Sequence, residues 1–213
     1  MQLYSFFNSS TSYRVRIALA LKGLPYDYSP VNIRTGEHRA DSYVEQVNPS
    51  AGVPALVDDG FQLSQSLAII DYLDTLHPEP RLIPADPVQR ARVLELSNAI
   101  ACDIHPINNL RVLRYLQDVL KVTPEQKDAW YRHWIDEGMA TVERLLTRYG
   151  IGLWCFGEAP TLADVTLVPQ VANALRMGCS LDRYERAMTV YAYAVEHPAF
   201  NSAAPTHQPD FTA

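Results

Sequence analysis

The chain has 213 residues, of which 47% are hydrophobic and 20% are charged, and its formal net charge is −6. This composition supports a packed core and excludes a disordered chain. The acidic balance argues against nucleic-acid binding, which needs a basic surface, and the longest apolar runs are too short to span a membrane. No signal peptide precedes the first strand pattern, so we expect a cytoplasmic protein.

The three cysteines, Cys102, Cys155 and Cys179, lie far apart and form no CxxC pattern. An odd number of cysteines, without the spacing of metal ligands, predicts neither a disulfide framework nor a zinc site. We expect no other bound metal. All three are expected to be small, buried, apolar residues.

Strand and helix patterns alternate over the first eighty residues. Residues 3–7 predict a strand, residues 12–22 predict a helix that stops at Gly23, and residues 26–33 predict a second strand. The rest of this region predicts a weaker helix over 38–47, a hairpin of strands 55–57 and 61–63 joined by an Asp-Gly turn, and a helix over 67–77. The order β-α-β-α-β-β-α indicates a small mixed sheet whose first two strands are parallel.

Five small polar residues, 8–12, separate the first strand from the first helix. A helix N-terminus offers unpaired N–H groups and a partial positive charge, so it can hold an anion and favour a thiolate. One hypothesis is therefore a thiolate site, and the alternative is that a hydroxyl here only caps the helix. Within that helix Arg14 and Arg16 point to different sides, and we expect their charges to be solvated.

Two later turns have the chemistry to bind an extended ligand. Val53-Pro54 opens a strand, and a cis bond there would turn the N–H and C=O of Val53 outward to pair with a peptide. Ser66 lies at a helix start, where it could hold a carboxylate or act as a plain cap.

A proline-rich stretch, with four prolines in residues 77–87, predicts a domain boundary. Only helix patterns follow it. We expect an α/β domain over 1–80, a linker over 81–87 and an all-helical domain over 88–213. The predicted helices cover 88–120 with a kink at Pro106, 123–149, 162–177, 184–196 and 198–203, and the last ten residues are expected to be loose.

Polar residues mark two points in the helical half. His105, Asn108 and Asn109 are spaced i, i+3 and i+4, so they share one helix face beside the kink. They form either a ligand-pocket wall or a hydrogen-bonded repair of the kink. Residues 161–164 (Thr-Leu-Ala-Asp) form a capping-box pattern ahead of an apolar run, which predicts a buried helix and a structural Asp164.

These stretches together resemble the zeta-class glutathione transferases, a class that includes maleylacetoacetate isomerase and the bacterial glutathione-dependent maleylpyruvate isomerase. The matching segments span essentially the whole chain: residues 9–19, 48–49, 53–54, 65–70, 103–109, 167–174 and 208–210. The resemblance implies the glutathione transferase fold, with a thioredoxin-like N-terminal domain and an all-α C-terminal domain. It also implies glutathione as the cofactor, a small-molecule substrate and a homodimer.

The resemblance also implies roles for particular residues. By this likeness the hydroxyl of Ser9 supports the glutathione thiolate, with Ser10 and Thr11 beside it. The implied glutathione-binding residues are Val53, a cis Pro54, Gln65, Ser66, His105, Asn108 and Asn109. The implied substrate-binding residues are Asn8, Arg111 and Arg176. Three positions depart from the usual pattern, which has arginine in many members at Asn8, cysteine at Thr11 and tryptophan at Tyr13.

The implied activity is glutathione-dependent cis–trans isomerisation of a maleyl substrate, maleylacetoacetate or maleylpyruvate, to its fumaryl form in aromatic compound catabolism. A thiolate that adds reversibly to the double bond makes the bond single for a moment, so that it can rotate. One alternative is a broad-specificity glutathione transferase acting on α-haloacids or other electrophiles. A second is a non-enzymatic module that binds glutathione or a protein partner, against which the Ser9, Val53-Pro54 and Gln65-Ser66 set argues.

Overall fold

The computed structural model describes residues 1–212, which divide into two units. The first unit is formed by residues 1–83 together with the chain from Val195 onward, and the second is formed by Pro84–Ala194. The sequence-based division placed all of 88–213 in one helical domain. The segment from Val195 onward instead belongs to the first unit, because its last helix packs against the first helix of the chain.

A mixed sheet of four strands in the order β2-β1-β3-β4 organises the first unit. Its strands are β1 (Gln2–Ser5), β2 (Asp27–Pro30), β3 (Ala55–Asp58) and β4 (Phe61–Ser64). The pair β1–β2 is parallel, with Leu3 opposite Tyr28, whereas β1–β3 and β3–β4 are antiparallel. The predicted strand–helix order, the parallel first pair and the hairpin are therefore confirmed.

The helices of this first stretch are α1 (Ser10–Leu21), α2 (Asp41–Gln46) and α3 (Ser66–Leu76). Helix α1 starts earlier than predicted because Ser9 supplies its N-cap. The predicted helix over 38–47 is a 3₁₀ turn, Glu37–Arg39, followed by α2, because Ala40 between them has an extended backbone. Leu3, Ile17 and Ile69 are fully buried and join the sheet to α1 and α3 in one core.

The second unit is entirely helical, as expected, apart from short isolated bridges within residues 151–157. Its helices are α4 (Pro87–Asn98), α5 (Leu110–Asp118), α6 (Pro124–Tyr149), α7 (Leu162–Arg176) and α8 (Glu185–Val195). The single kinked helix predicted over 88–120 is wrong. Helix α4 runs into a π-helical segment, Ala99–Ile104, and a turn over 105–109 separates it from α5. Pro106 has no N–H to continue the ladder, and Asn109 caps a new helix by accepting from the Arg111 N–H at 3.1 Å.

The predicted capping box at the start of α7 is confirmed. The Thr161 hydroxyl accepts from the Ala163 N–H at 3.3 Å, and the Asp164 carboxylate accepts from the Thr161 N–H at 2.8 Å and the Cys155 N–H at 2.7 Å. Burial raises the pKa of Asp164, while these hydrogen bonds oppose the shift. The carboxylate therefore ties a loop to the start of a buried helix, as a structural role requires.

The C-terminal segment packs on α1 through α9 (Pro198–Ser202) and a 3₁₀ turn, Pro205–His207. The Tyr13 hydroxyl donates to the Phe200 carbonyl at 2.9 Å. The expectation of a loose tail is wrong up to residue 212, because Gln208 is buried and its amide donates to the Ser202 carbonyl at 3.0 Å and the Ala204 carbonyl at 2.9 Å. Polar tail side chains thus bond to the carbonyls that end α9.

The cysteines only partly match their predicted burial. Cys155 and Cys179 are buried, whereas Cys102 in the π-helical segment is exposed, because that turn leaves it on an outward side. All three are free thiols. Among residues 1–212, no three His, Cys, Asp or Glu side chains group as metal ligands would. Over the same residues, no helix combines the length and apolar character needed to cross a membrane.

Candidate active site

A chain of hydrogen bonds links three residues where β1 passes into α1. Ser9 has an extended backbone, and its Oγ accepts from the Ser12 N–H at 3.2 Å. The same Oγ lies 2.9 Å from the Thr11 hydroxyl, which donates to the Val53 carbonyl at 3.0 Å. A hydroxyl has one proton, and Thr11 gives its proton to Val53, so Ser9 must be the donor to Thr11.

This geometry identifies which hydroxyl of residues 8–12 caps the helix. Ser9 is the cap, and the buried Ser12 Oγ has no hydrogen-bond partner among the described residues. Capping uses a lone pair of Ser9, so its proton stays available to turn towards an anion. The first turn of α1 begins with the buried Ser10 and contains no acidic residue, so no carboxylate within that turn offsets the positive end of the helix.

The arginines of α1 are buried, and the expectation of solvated charges is wrong. Arg14 and Arg16 are each 1% exposed. Arg16 donates to four oxygens: the Ala203 carbonyl at 2.9 Å, the Phe7 carbonyl at 3.0 Å, the Ser5 hydroxyl at 3.1 Å and the Phe6 carbonyl at 3.3 Å. Burial lowers the pKa of Arg16, and nearby tyrosines and Asp210 raise it again. The guanidinium therefore fixes the turn that precedes Ser9.

Val53 presents its backbone beside this hydroxyl chain, and its bond to Pro54 is cis, as expected. The Val53 carbonyl holds Thr11, while its N–H makes no hydrogen bond with any described residue. The loop before it is fixed by polar contacts: Asn48 donates to the Gly52 carbonyl at 2.8 Å, and Tyr43 donates to the same carbonyl at 2.7 Å. Burial raises the pKa of Tyr43 to about 12.

The start of α3 forms the third part of this region. Gln65 is exposed and has φ +72°, a region that residues other than glycine rarely adopt, and its side chain does not cap the helix. The first N–H groups of α3 thus lack a side-chain cap, which suits a carboxylate ligand. The buried Ser66 hydroxyl accepts from Arg14 at 3.4 Å, so a buried cation lies next to this helix start.

The polar residues near Pro106 lie in the turn between helices, so they do not share a helix face as predicted. Asn109 caps α5, and its Nδ2 lies 3.4 Å from the Nε2 of His105. Asn108 is buried and donates to the Tyr131 carbonyl at 3.0 Å, while its Oδ1 has no hydrogen-bond partner among the described residues. These hydrogen bonds satisfy polar groups at the break between the helices, and the buried Asn108 Oδ1 is the one acceptor among them without a partner in the described residues.

The two candidate arginines of the second unit are both exposed. Arg111 lies in the first turn of α5, and Arg176 is the last residue of α7. The Arg176 guanidinium donates to the Asn173 Oδ1 at 2.5 Å, and the Asn173 amide donates to the Tyr131 hydroxyl at 2.8 Å. The sequence reading missed Asn173, although its place three residues before Arg176 on one helix is a signal for such a pair.

Comparisons with known proteins identify the family of the chain. Residues 3–81 match the family model described as glutathione S-transferase, N-terminal domain. The chain is 47% identical over 216 residues to a maleylacetoacetate isomerase of Pseudomonas aeruginosa, with 100% of both chains covered. It superposes with a TM-score of 0.96 and 44% identity, over 100% of both chains, on the holo structure of a maleylpyruvate isomerase described as a bacterial glutathione S-transferase of the zeta class.

The chain belongs to the zeta class of glutathione transferases.

A further relative, from Anaeromyxobacter dehalogenans, is 38% identical, with a TM-score of 0.88 and coverage of 100% of this chain and 97% of its own. That maleylacetoacetate isomerase was solved with dicarboxyethyl glutathione and citrate in its active site.

The structure also places Thr11, Tyr13 and Asn8, the three positions expected to depart from the family pattern. Thr11 completes the hydroxyl chain described above instead of supplying a thiol, and the buried Tyr13 bonds to α9. Asn8 is half-buried in the turn before Ser9. Arg34 makes cation–π contacts here that the sequence did not predict. Its guanidinium lies 5.4 Å from the centroid of the Phe6 ring and 5.3 Å from that of the Phe7 ring.

Proposed function

We propose that this zeta-class protein is a glutathione-dependent cis–trans isomerase that converts a maleyl group, in maleylacetoacetate or maleylpyruvate, to the fumaryl form. The observation that carries the proposal is the ordered hydroxyl chain from Ser9 through Thr11 to Val53 at the start of α1. It occurs in a chain 47% identical over its whole length to a maleylacetoacetate isomerase.

The residues of the first unit suit glutathione, a tripeptide with a thiol and two carboxylates. The free N–H of Val53 and its carbonyl would pair with the cysteinyl backbone beside the cis Pro54, in the manner of an added strand. Gln65 and Ser66 would hold the γ-glutamyl end at the uncapped start of α3, where the buried Arg14 favours a carboxylate. When bound, glutathione supplies the thiolate that adds reversibly to the maleyl double bond and lets it rotate.

Ser9 has the central part in this mechanism. A free thiol with a pKa near 8.5 is only slightly ionised at neutral pH. In our proposal the Ser9 hydroxyl turns its proton from Thr11 to the sulfur, and the positive end of α1, opened by Ser10, adds to the stabilisation. The protein thus contributes a donor and a helix terminus rather than a nucleophile of its own.

The family resemblance assigns two arginines to the substrate. Arg176 and Arg111 would bind its carboxylates, because arginine pairs with carboxylates through two parallel hydrogen bonds. The family resemblance also assigns the side chains of His105, Asn108 and Asn109 to glutathione.

Asn8 is also assigned to the substrate. It can donate hydrogen bonds but brings no charge, and this weakens the case for a dicarboxylate relative to family members with arginine there. Asn8 therefore favours, as a second candidate, conjugation of α-haloacids or other electrophiles.

We also propose a homodimer in the cytoplasm. The dimer is proposed from the family resemblance, and the exposure of Phe61 (51%) on the edge strand β4 is consistent with cover by a second copy. Free thiols at all three cysteines suit a reducing compartment where glutathione is abundant. Sedimentation velocity at several concentrations tests the dimer, and a single species with the mass of one chain would contradict it.

The deciding experiment uses the purified protein with maleylacetone or maleylpyruvate, with and without glutathione. We expect conversion to the trans isomer only when glutathione is present. Dichloroacetate with glutathione serves as the comparison substrate. Release of chloride without isomerisation of either maleyl compound would replace the isomerase by the transferase, and no reaction with any of them would leave only a binding module.

A further inference from the structure

We propose that Asp210, in the C-terminal tail, is a positioning residue for the thiolate site and acts through the backbone of the turn that carries Ser9. The inference rests on the proposed function, in which Ser9 donates to a bound thiolate. It concerns a residue 201 positions further along the chain, which no spacing in the sequence connects with Ser9.

Asp210 binds the first unit at two points, one through each carboxylate oxygen. Its Oδ2 accepts from the Phe7 N–H at 3.0 Å, two residues before Ser9. Its Oδ1 accepts from the Tyr28 hydroxyl on β2 at 2.6 Å. The first bond reaches the turn before Ser9, and the second anchors the carboxylate to the sheet.

The same turn is held from its other side by Arg16. That buried guanidinium binds the carbonyls of Phe6 and Phe7, and the Ser9 N–H donates to the Phe6 carbonyl at 3.0 Å. The Phe7 ring also packs edge-on against Phe211, with centroids 5.5 Å apart. The peptide groups before Ser9 therefore lie between a buried cation and a carboxylate, and removal of one holder frees the turn to shift.

A merely structural role for Asp210 makes a different prediction. If the carboxylate only tied down the tail, its loss would lower the thermal midpoint but leave the ionisation of a bound thiol unchanged. If it positions Ser9, its loss weakens the hydrogen bond from Ser9 to the thiolate and so raises the pKa of the bound thiol. The pKa of bound glutathione, read from thiolate absorbance in the ultraviolet as a function of pH, separates the two roles.

The test compares Asp210→Ala with Tyr28→Phe, which removes the other bond of the same carboxylate and leaves the bond to Phe7. We expect Asp210→Ala to raise the pKa of bound glutathione by about 0.5, within the usual spread of environmental effects. We expect it to lower kcat at neutral pH roughly tenfold, less than the hundredfold that a displacement of about 1 Å can cost. Tyr28→Phe should leave both quantities near their original values.

A Ser9→Ala background shows whether Asp210 acts through Ser9. There, Asp210→Ala should produce no further rise in the thiol pKa. An equal rise with and without Ser9, an unchanged pKa in Asp210→Ala, or an equal rise in Tyr28→Phe would each overturn the inference. The role of Ser9 is tested separately by Ser9→Ala alone, and an unchanged pKa of the bound thiol in that variant would contradict it. Failure of the Ser9 proposal can therefore be distinguished from failure of the Asp210 proposal.

Asp210→Asn is the substitute if Asp210→Ala does not fold. Its single acceptor oxygen can serve only one of the two donors. We expect a smaller rise of the thiol pKa in the same direction, and no rise in the folded variant would overturn the inference.

Discussion

The turn before α1 and the turn before α5 both interrupt the chain with polar residues at a helix start, but they are built differently. In the first, the buried Arg16 and the carboxylate of Asp210 hold the backbone, and each proton in the Ser9–Thr11–Val53 chain has one destination. In the second, Asn109 caps the helix and Arg111 projects into solvent. A turn fixed by a buried guanidinium and a half-buried carboxylate suits a constant ligand, whereas exposed arginines leave the choice of substrate open.

Replacement of Ser9, in the turn before α1, should cause the largest loss of activity. Ser9→Ala removes the only assigned thiolate donor, and the loss of such a donor lowers kcat by roughly tenfold to a thousandfold. Ser9→Gly separates catalysis from capping, because glycine caps almost as well as serine but has no hydroxyl. We expect both variants to lose the same activity, with the larger loss of stability in Ser9→Ala. Ser12→Ala is the matched control, and full turnover in Ser9→Ala would refute the assignment.

The second region is tested by Arg176→Ala. A lost hydrogen bond to a charged group costs about 1.5–3 kcal/mol, so the KM of the maleyl substrate should rise roughly tenfold to a hundredfold. The KM of glutathione should change little. Asn173→Ala, which removes the partner that orients the guanidinium, should raise the same KM by less.

Arg144→Ala is the control for this pair, because Arg144 is an exposed arginine on α6 bonded to Thr141. It should leave both KM values unchanged. Equal rises for substrate and glutathione in Arg176→Ala would argue against a carboxylate-binding arginine.

Thr11→Val sharpens the account of the hydroxyl chain. Valine has nearly the shape of threonine, but Ser9 loses its acceptor and the Val53 carbonyl loses its donor. In the proposed mechanism Ser9 turns away from Thr11 to the sulfur, so the variant lacks only the bond to Val53 in the active state. One lost hydrogen bond is worth about 1 kcal/mol, so we expect roughly a three- to tenfold lower kcat/KM for glutathione. Thr11→Ser keeps the hydroxyl and should behave like the parent chain. Indistinguishable kinetics for the valine variant would show that the ordered chain has no catalytic part.

The smallest expected effect concerns the loop that positions Val53, and it appears only at high pH. The pKa of Tyr43 is raised from 10.0 to about 12, so the folded protein keeps the phenol proton over a range in which the unfolded chain has lost it. The free energy of unfolding should therefore fall as pH rises from about 10 to about 12, and level off above that range. Tyr43→Phe should flatten this slope in denaturant titrations. An unchanged slope would show that Tyr43 is not its source.

Local patterns predicted much of the fold correctly. Short-range signals defined the strand–helix order, the Asp-Gly hairpin and the Thr161–Asp164 capping box, because each depends on residues close together in the chain. The same local signals predicted a group of hydroxyls at a helix start, and only the family resemblance singled out Ser9 among them. The pair Arg14 and Arg16 was misjudged because burial of a charge depends on partners far away in sequence, such as Ala203 for Arg16.

Two further features escaped prediction for related reasons. Between α4 and α5 the chain could either continue one helix past Pro106 or end it and start a new helix at Asn109. The spacing of apolar residues is similar in both cases, so it could not predict the break. The contacts of Asp210 cross 203 positions to Phe7, and composition alone makes a short polar tail look loose. Asn173 was also missed, but its position three residues before Arg176 on one helix could have predicted the pair.

The return of the C-terminal segment to the first unit has a consequence for synthesis. Chains usually fold from the N-terminus while they are being made. Here Arg16 finds the Ala203 carbonyl, and Phe7 finds its carboxylate, only after the second unit has left the ribosome. Until then the Arg16 guanidinium has only oxygens of residues 5–7 among the partners described above. A chain truncated before residue 203 would therefore contain residues 8–12 but lack the contacts of Ala203 with Arg16 and of Asp210 with Phe7 that hold the turn before Ser9.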